Sequence, residues 1–170
     1  MMYLFAPWTD QNEREMMWPV KSKKLESVNY FVNELQRNIT VMRGYWFSAH
    51  ETWKYLFLPY DNVTITHNLL VNGEKARTWD AYQNGIHGMF ASVNGNISKN
   101  TDNMEYYSDC GIQSIAFQPV NHRHLVTPYS TMALFLANRD VASAWYHNML
   151  NAPAGQNKYG STEGTTRDGL

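Results

Sequence analysis

A chain of 170 residues with 44% hydrophobic and 17% charged side chains is enough for one packed domain. Its 14 Lys and Arg stand against 15 Asp and Glu, so there is no basic face to neutralise phosphates and nucleic acid is excluded as a partner. No apolar run reaches the length of a membrane span, and the single cysteine, Cys110, rules out an intramolecular disulfide and a cysteine-built metal site.

In chain order, residues 1–24 read as irregular, with Pro7, Pro19 and the basic "KSKK". "MMYLFAPW" has neither the basic start nor the length of a secretion signal. Three Asn-x-Ser/Thr sequons, at Asn38, Asn62 and Asn96, are compatible with secretion without demonstrating it. From Leu25 to Val41 the apolar residues Val28, Phe31, Val32 and Leu35 recur at helical spacing, which predicts a helix closed by Gly44. "GYWFSAHETWKYLFLPY" predicts a second helix over 49–58, stopped by Pro59. "DNVTITHNLLVNGEKARTWDAYQNG" predicts a third, capped by Asp61 or Asn62, ended by Gly85 and broken in two at Asn72-Gly73. "IHGMFASV" reads as a strand or extended loop, residues 94–111 as loop and "IQSIAFQPV" as extended. Thr127 as N-cap with Pro128 at the first helical position opens two helices that break near Asn138. The tail from 152 reads as irregular, and "KYGSTEGTTRDG" by itself as a solvated terminal loop. The chain is therefore mainly α, with a few short strands and long aromatic-rich loops.

Aromatic residues make up 14% of the chain and mix with many Asn, Thr, Ser and Gln side chains. Trp and Tyr stack on the C–H faces of sugar rings, and amides and carboxylates hydrogen-bond sugar hydroxyls, so the mixture suits an oligo- or polysaccharide. His50-Glu51 does not open a zinc-protease motif, because Lys54 stands where the second His is required. Glu51 has two readings. It closes a capping box on Ser48, or it projects into a cleft as an acid or base whose pKa is raised by the apolar Trp46, Trp53 and Tyr55. Glycoside hydrolysis needs two carboxyl groups across the scissile bond, and Glu51, Asp109 and Glu163 are the candidates. Trp46, His50, Trp53 and Tyr159 are candidate sugar contacts. His122 and His124 in "NHRH" serve either as hydrogen-bonding residues or as a metal pair that lacks an evident third ligand. The sugar reading itself needs no metal or cofactor.

Three segments in succession resemble the glucoamylase-like glycoside hydrolases, a group that includes the endo-β-1,2-glucanases and the similar domain of cyclic glucan synthases. They are "EKARTWDAYQNGIHGMFAS" (74–92), "HLVTPYSTMALFLANRDVASAWYHNML" (124–150) and "NKYGSTEG" (157–164). By motif position the resemblance implies substrate-loop roles for Ser92, Thr127 and Tyr129 and a site carboxylate at Glu163, with Glu51 on an earlier helix. Two departures are Val93 where the family's Ala-Ser turn continues with Asp, and "VNHRH" where its loop is acidic and Gly-rich.

The resemblance also implies an (α/α) toroid of helical hairpins around a sugar cleft. A full toroid of twelve short helices needs roughly 200 residues, so residues 1–170 are expected to form a single domain that is the C-terminal part of a larger one. An open apolar flank would then favour self-association. The expected function is hydrolysis of O-glycosidic bonds in a glucan-like polysaccharide by carboxylate acid/base catalysis. The rivals are a non-catalytic glycan-binding or structural module and a metal-dependent enzyme built on His122 and His124.

Overall fold

The computed structural model of the chain describes residues 10–12, 15–16, 26–47, 55–57, 59–84, 92–95, 104–107, 109–121, 125–151 and 155–166. Within them the helices α1 (Thr64–Asn84), α2 (Met132–Ala137) and α3 (Arg139–Leu150) are joined by short strands paired two by two. The expectation of a mainly helical chain with a few short strands agrees with this.

The first expected helix is instead an antiparallel hairpin of β1 (Ser27–Val32) and β2 (Arg37–Met42), with Val28 opposite Val41 and Tyr30 opposite Ile39. Two periods compete in this segment. Val28, Tyr30, Val32, Ile39 and Val41 recur every second residue and are mostly β-branched, and all of them join one core cluster. Phe31 and Leu35, which complete the helical spacing, are left exposed. The turn passes through the 3-10 turn Asn33–Leu35 and closes at Gln36, which is left-handed at φ 46°. At the open end, Arg43 pairs with Glu26 (2.9 Å), donates to the Ala116 carbonyl (2.8 Å) and lies 4.5 Å over the Phe117 ring.

Gly44 forms a parallel bridge with Ala116. Phe117 N–H donates to the Gly44 carbonyl and Gln118 N–H to that of Tyr45, both at 2.9 Å. The segment expected to be extended at 112–120 contains the 3-10 turn Gln113–Ile115, which turns Ile112 and Ile115 into the core.

Helix α1 grows out of the 3-10 turn Pro59–Asn62, and the Val63 carbonyl accepts its early N–H bond from His67 (2.9 Å). Asp61 and Asn62 therefore belong to the preceding turn and do not cap it. Nor does Asn72-Gly73 break it. Asn72 Nδ2 donates to the Thr40 carbonyl (2.9 Å), and Ala76 and Trp79 pack on the hairpin, so tertiary contacts override the weak local propensity. Leu70 meets Tyr55 and Ala133, which joins α1 to α2.

The expected break at Asn138 is present. Its backbone is extended, and its side chain accepts from Val141 N–H (3.0 Å) to cap α3. Pro128 takes the first position of the 3-10 turn Pro128–Thr131 ahead of α2, as expected. Thr127 differs from expectation. It has the extended N-cap backbone, but its side chain makes no cap bond, and its fully buried Oγ1 has no hydrogen-bond partner among the described residues.

Part of the segment expected to be loop is strand: β3 (Ser92–Gly95) pairs with β4 (Met104–Tyr107). The described part of the tail, 155–166, is paired as well. β5 (Leu125–Val126) pairs with β8 (Thr165–Thr166), and β6 (Gln156–Asn157) with β7 (Gly160–Ser161). Gly160 supplies the positive φ of 127° that the tight β6–β7 turn requires. "KYGSTEG" is thus largely solvent-exposed, as expected, but lies between strands with backbone partners rather than in an irregular tail.

Candidate functional site

Tyr107, Cys110 and Leu125 form a buried cluster, next to which Asp109 lies by sequence, while Glu163 is exposed. The β5–β8 pairing carries Thr165 and Thr166 alongside Leu125 and Val126, which draws the Glu163 segment towards Tyr129. Burial pushes the Tyr129 phenol well above its ordinary value, and neighbouring Tyr106, Glu163 and Cys110 add to the rise. Tyr129 therefore stays a neutral hydrogen-bond donor within electrostatic reach of both Glu163 and Cys110. Asp109, half-buried beside Cys110, accepts from Asn121 Nδ2 at Oδ2 (2.7 Å), and its carbonyl accepts from Asn121 N–H (3.2 Å). Burial, with Asp109 second, pushes the Cys110 thiol up to about 12, so it is no nucleophile at neutral pH.

The other expected contacts divide. Ser92 sits at the start of β3, directly across from Tyr107, and so borders the same cluster through its backbone. Trp46 is half-buried, edge-on to Tyr45 at 4.8 Å, and its carbonyl lies against Gly111, next to Cys110. Thr127 is fully buried. Tyr159 is 87% exposed at the β6–β7 tip, with Lys158 Nζ 4.8 Å over its ring. His50, Glu51, Trp53, His122 and His124 lie outside the described residues. Among the described residues no three His, Cys, Asp or Glu side chains group to hold a metal ion.

A second charged centre, on α1, was not singled out in the sequence. Glu74 and Arg77 are both buried, with Oε1 2.6 Å from Nη1, and Asp80 is buried on the same helix. The Arg77 guanidinium stacks 4.5 Å from the centre of the Phe47 ring. Burial pushes Glu74 upward against the pull of Arg77. Tyr55, whose hydroxyl donates to the Thr66 carbonyl (3.0 Å), is also pushed up, by burial first, with Arg77 opposing and Glu74 adding. Phe47 has a left-handed φ of 61°, unusual for a bulky side chain and worth about 1–3 kcal/mol of strain. An arrangement this buried fixes backbone rather than exchanging protons with solvent. The usable sequence signal was the run of small residues Gly73, Ala76 and Ala81 on the face that carries Arg77 and Asp80, a mark of close approach.

Comparison with known proteins adds the following. The sequence profile described as Endo-beta-1,2-glucanase SGL matches residues 1–170. Two solved structures of an endo-β-1,2-glucanase from Talaromyces funiculosus, one of a mutant with β-1,2-glucan and one with sophorose, superpose with a TM-score of 0.85 at 39% identity. Each match covers 99% of this chain and 35% of the other, so the chain spans about a third of the length of those structures. No curated protein matches it.

Proposed function

The chain belongs to the endo-β-1,2-glucanase SGL family, and from that premise we propose that it binds β-1,2-glucan and contributes to hydrolysis of its O-glycosidic bonds. The similar Talaromyces funiculosus structures hold β-1,2-glucan and sophorose, which supports the sugar class. In this reading residues 1–170 are one domain that contributes its helices and loops to a partial (α/α) toroid, and the Tyr107–Cys110–Leu125 region borders the sugar cleft.

The observation that carries the reading is the β5–β8 pairing, which sets the Glu163 segment beside the strand that leads into Tyr129. Hydrolysis requires one carboxyl group to protonate the leaving oxygen and another to act on water or on the anomeric carbon. Asp109, Glu163 and the sequence candidate Glu51 supply these groups. A neutral Tyr129 can donate to a sugar oxygen or to Glu163 without competing for the proton. Trp46, with His50 and Trp53 from the sequence, would stack on or hydrogen-bond the sugar rings.

The test is release of reducing ends from β-1,2-glucan by wild type, Glu51→Gln, Asp109→Asn and Glu163→Gln. Loss of at least about a hundredfold in two of the three variants, with folding retained, supports the assignment. Undiminished rates in all three remove it. A second reading is glycan binding without turnover. Calorimetric binding of β-1,2-gluco-oligosaccharides without product would select it.

A further inference from the structure

The α1 charge centre and the strained Phe47 are on opposite sides of one contact, and neither is used by the chemistry above. Phe47 is 3% exposed, and its ring lies against both the Arg77 guanidinium (4.5 Å) and Gly73 on one face of α1. Arg77 is in turn held by Glu74 at 2.6 Å from one turn earlier on α1. On its other side, residues 44–47 are pinned by the Gly44–Ala116 bridge, by the Phe117 and Gln118 N–H groups, and by the close approach of Gly111 to the Trp46 carbonyl. The segment is thus clamped from α1 and from 111–118 at once. It ends at a left-handed residue whose conformation no local preference supports. A buried ion pair contributes little net stability compared with apolar packing, so its presence under a strained residue calls for another role.

We infer that Glu74 and Arg77 are positioning residues: together they hold Phe47 left-handed and so fix the adjacent Trp46 ring as a sugar-stacking edge. The functional half of this rests on the glucan reading above. The positional half stands on the clamp geometry alone. Arg77 suits the task because a planar guanidinium both stacks on a ring and bonds a carboxylate in its own plane, which a Lys ammonium does not do.

The test uses the full 170-residue chain with 5-fluorotryptophan at its six Trp positions, the Trp46 fluorine resonance being assigned through Trp46→Phe. The variant is Glu74→Gln with Arg77→Met, which removes both charges and leaves neither one buried alone. The expected result is a shifted or broadened Trp46 resonance, with circular dichroism and Tm close to wild type. Affinity for β-1,2-gluco-oligosaccharides should weaken about tenfold, and any loss of turnover should fall on KM more than on kcat. An unmoved Trp46 resonance overturns the inference. A moved resonance with unchanged sugar affinity overturns its functional half. Should the double variant unfold, Phe47→Leu, which keeps apolar volume but offers no ring to the cation, is read by the same criteria. If wild type itself shows no response to the sugar, the glucan reading fails, and the clamp is then judged on the resonance alone.

Discussion

The carbonyl oxygen of Trp46 lies so close to Gly111 that a Cβ at position 111 would sit 1.6 Å from it. Backbone meets backbone there, so no side-chain rotation can make room. Gly111→Ala is expected to destabilise the chain by about 3 kcal/mol through forced displacement of the 44–47 segment. Urea denaturation measures this, and a loss below about 1 kcal/mol would show that the two segments separate freely.

Gly73→Ala should behave in the opposite way. Its added Cβ would meet the Phe47 ring at 3.5 Å and Arg77 Nη1 at 3.6 Å, which are ordinary contact distances. Within α1 the change to Ala gains about 0.5–1 kcal/mol of helix propensity. The midpoint of unfolding should therefore rise or hold. A clear drop would mean that the Phe47–Arg77 stack has no slack at all.

The contrast between these glycines also marks what the sequence could reveal. Gly73 reads as a helix breaker only if α1 is considered in isolation. Once Asn72 is tied to Thr40 and Ala76 lies in the hairpin core, the helix runs through. The Asn138 break and Pro128 at the start of a helical turn were legible because their causes are local: a side chain capping three residues on, and a ring that fixes φ. The hairpin over 27–42 was not, because Val28, Phe31, Val32 and Leu35 satisfy the helical period while the period-two set gains its advantage from residues distant in sequence, Phe47, Ala76, Trp79, Ile112 and Ile115. The same holds for the site. Asp109, Tyr129 and Glu163 could be named from residue type and motif succession, but the approach of the Glu163 segment to the strand leading into Tyr129 depends on the β5–β8 pairing. The Glu74–Arg77 pair reads as solvated helix charge until tertiary packing buries it.

Removing one partner of that pair should cost more than removing both charges. Arg77→Met leaves Glu74, 3% exposed, without the guanidinium, and about 3–5 kcal/mol of stability should be lost at pH 7. Glu74→Gln with Arg77→Met should lose markedly less. The pH dependence follows from the sign of the shift. Burial already raises Glu74 above its ordinary 4.5, and without Arg77 that rise is unopposed. A raised carboxyl favours folding below its unfolded pKa and loses that contribution as pH climbs through the folded value. The deficit of Arg77→Met against wild type should therefore shrink on approaching pH 4.5 and widen towards neutrality. A deficit that does not change with pH would place Glu74 outside the titrating groups.

The cap at Asn138 gives a smaller, local effect. Its side chain accepts the Val141 N–H at 3.0 Å, and Asp140 already supplies negative charge in the first turn of α3. Asn138→Ala should cost about 1 kcal/mol and Asn138→Ser much less, since Ser is also a good N-cap. Thermal unfolding of the two variants separates loss of the cap from loss of side-chain volume. Equal destabilisation would show that the hydrogen bond contributes nothing.

Cys110 tests the burial of the site from the opposite direction. Its thiol, 1% exposed, is pushed from the ordinary 9.0 up to about 12, by burial first and by Asp109 second. The folded chain thus holds the proton more tightly than the unfolded chain. The stabilisation is complete below pH 9 and is lost as pH rises from 9 towards 12. Two results are expected. At pH 8 a disulfide reagent such as DTNB should react with the native chain far more slowly than with the chain in urea, because thiolate and access are both lacking. Above pH 9, wild type should lose stability more steeply than Cys110→Ala, which has no thiol to ionise but keeps the alkaline titration of Tyr129. Rapid labelling of the native protein, or parallel alkaline stability curves for the two proteins, would mean that the Tyr107–Cys110–Leu125 cluster opens to solvent and that Tyr129 is no longer held as a neutral donor beside Glu163.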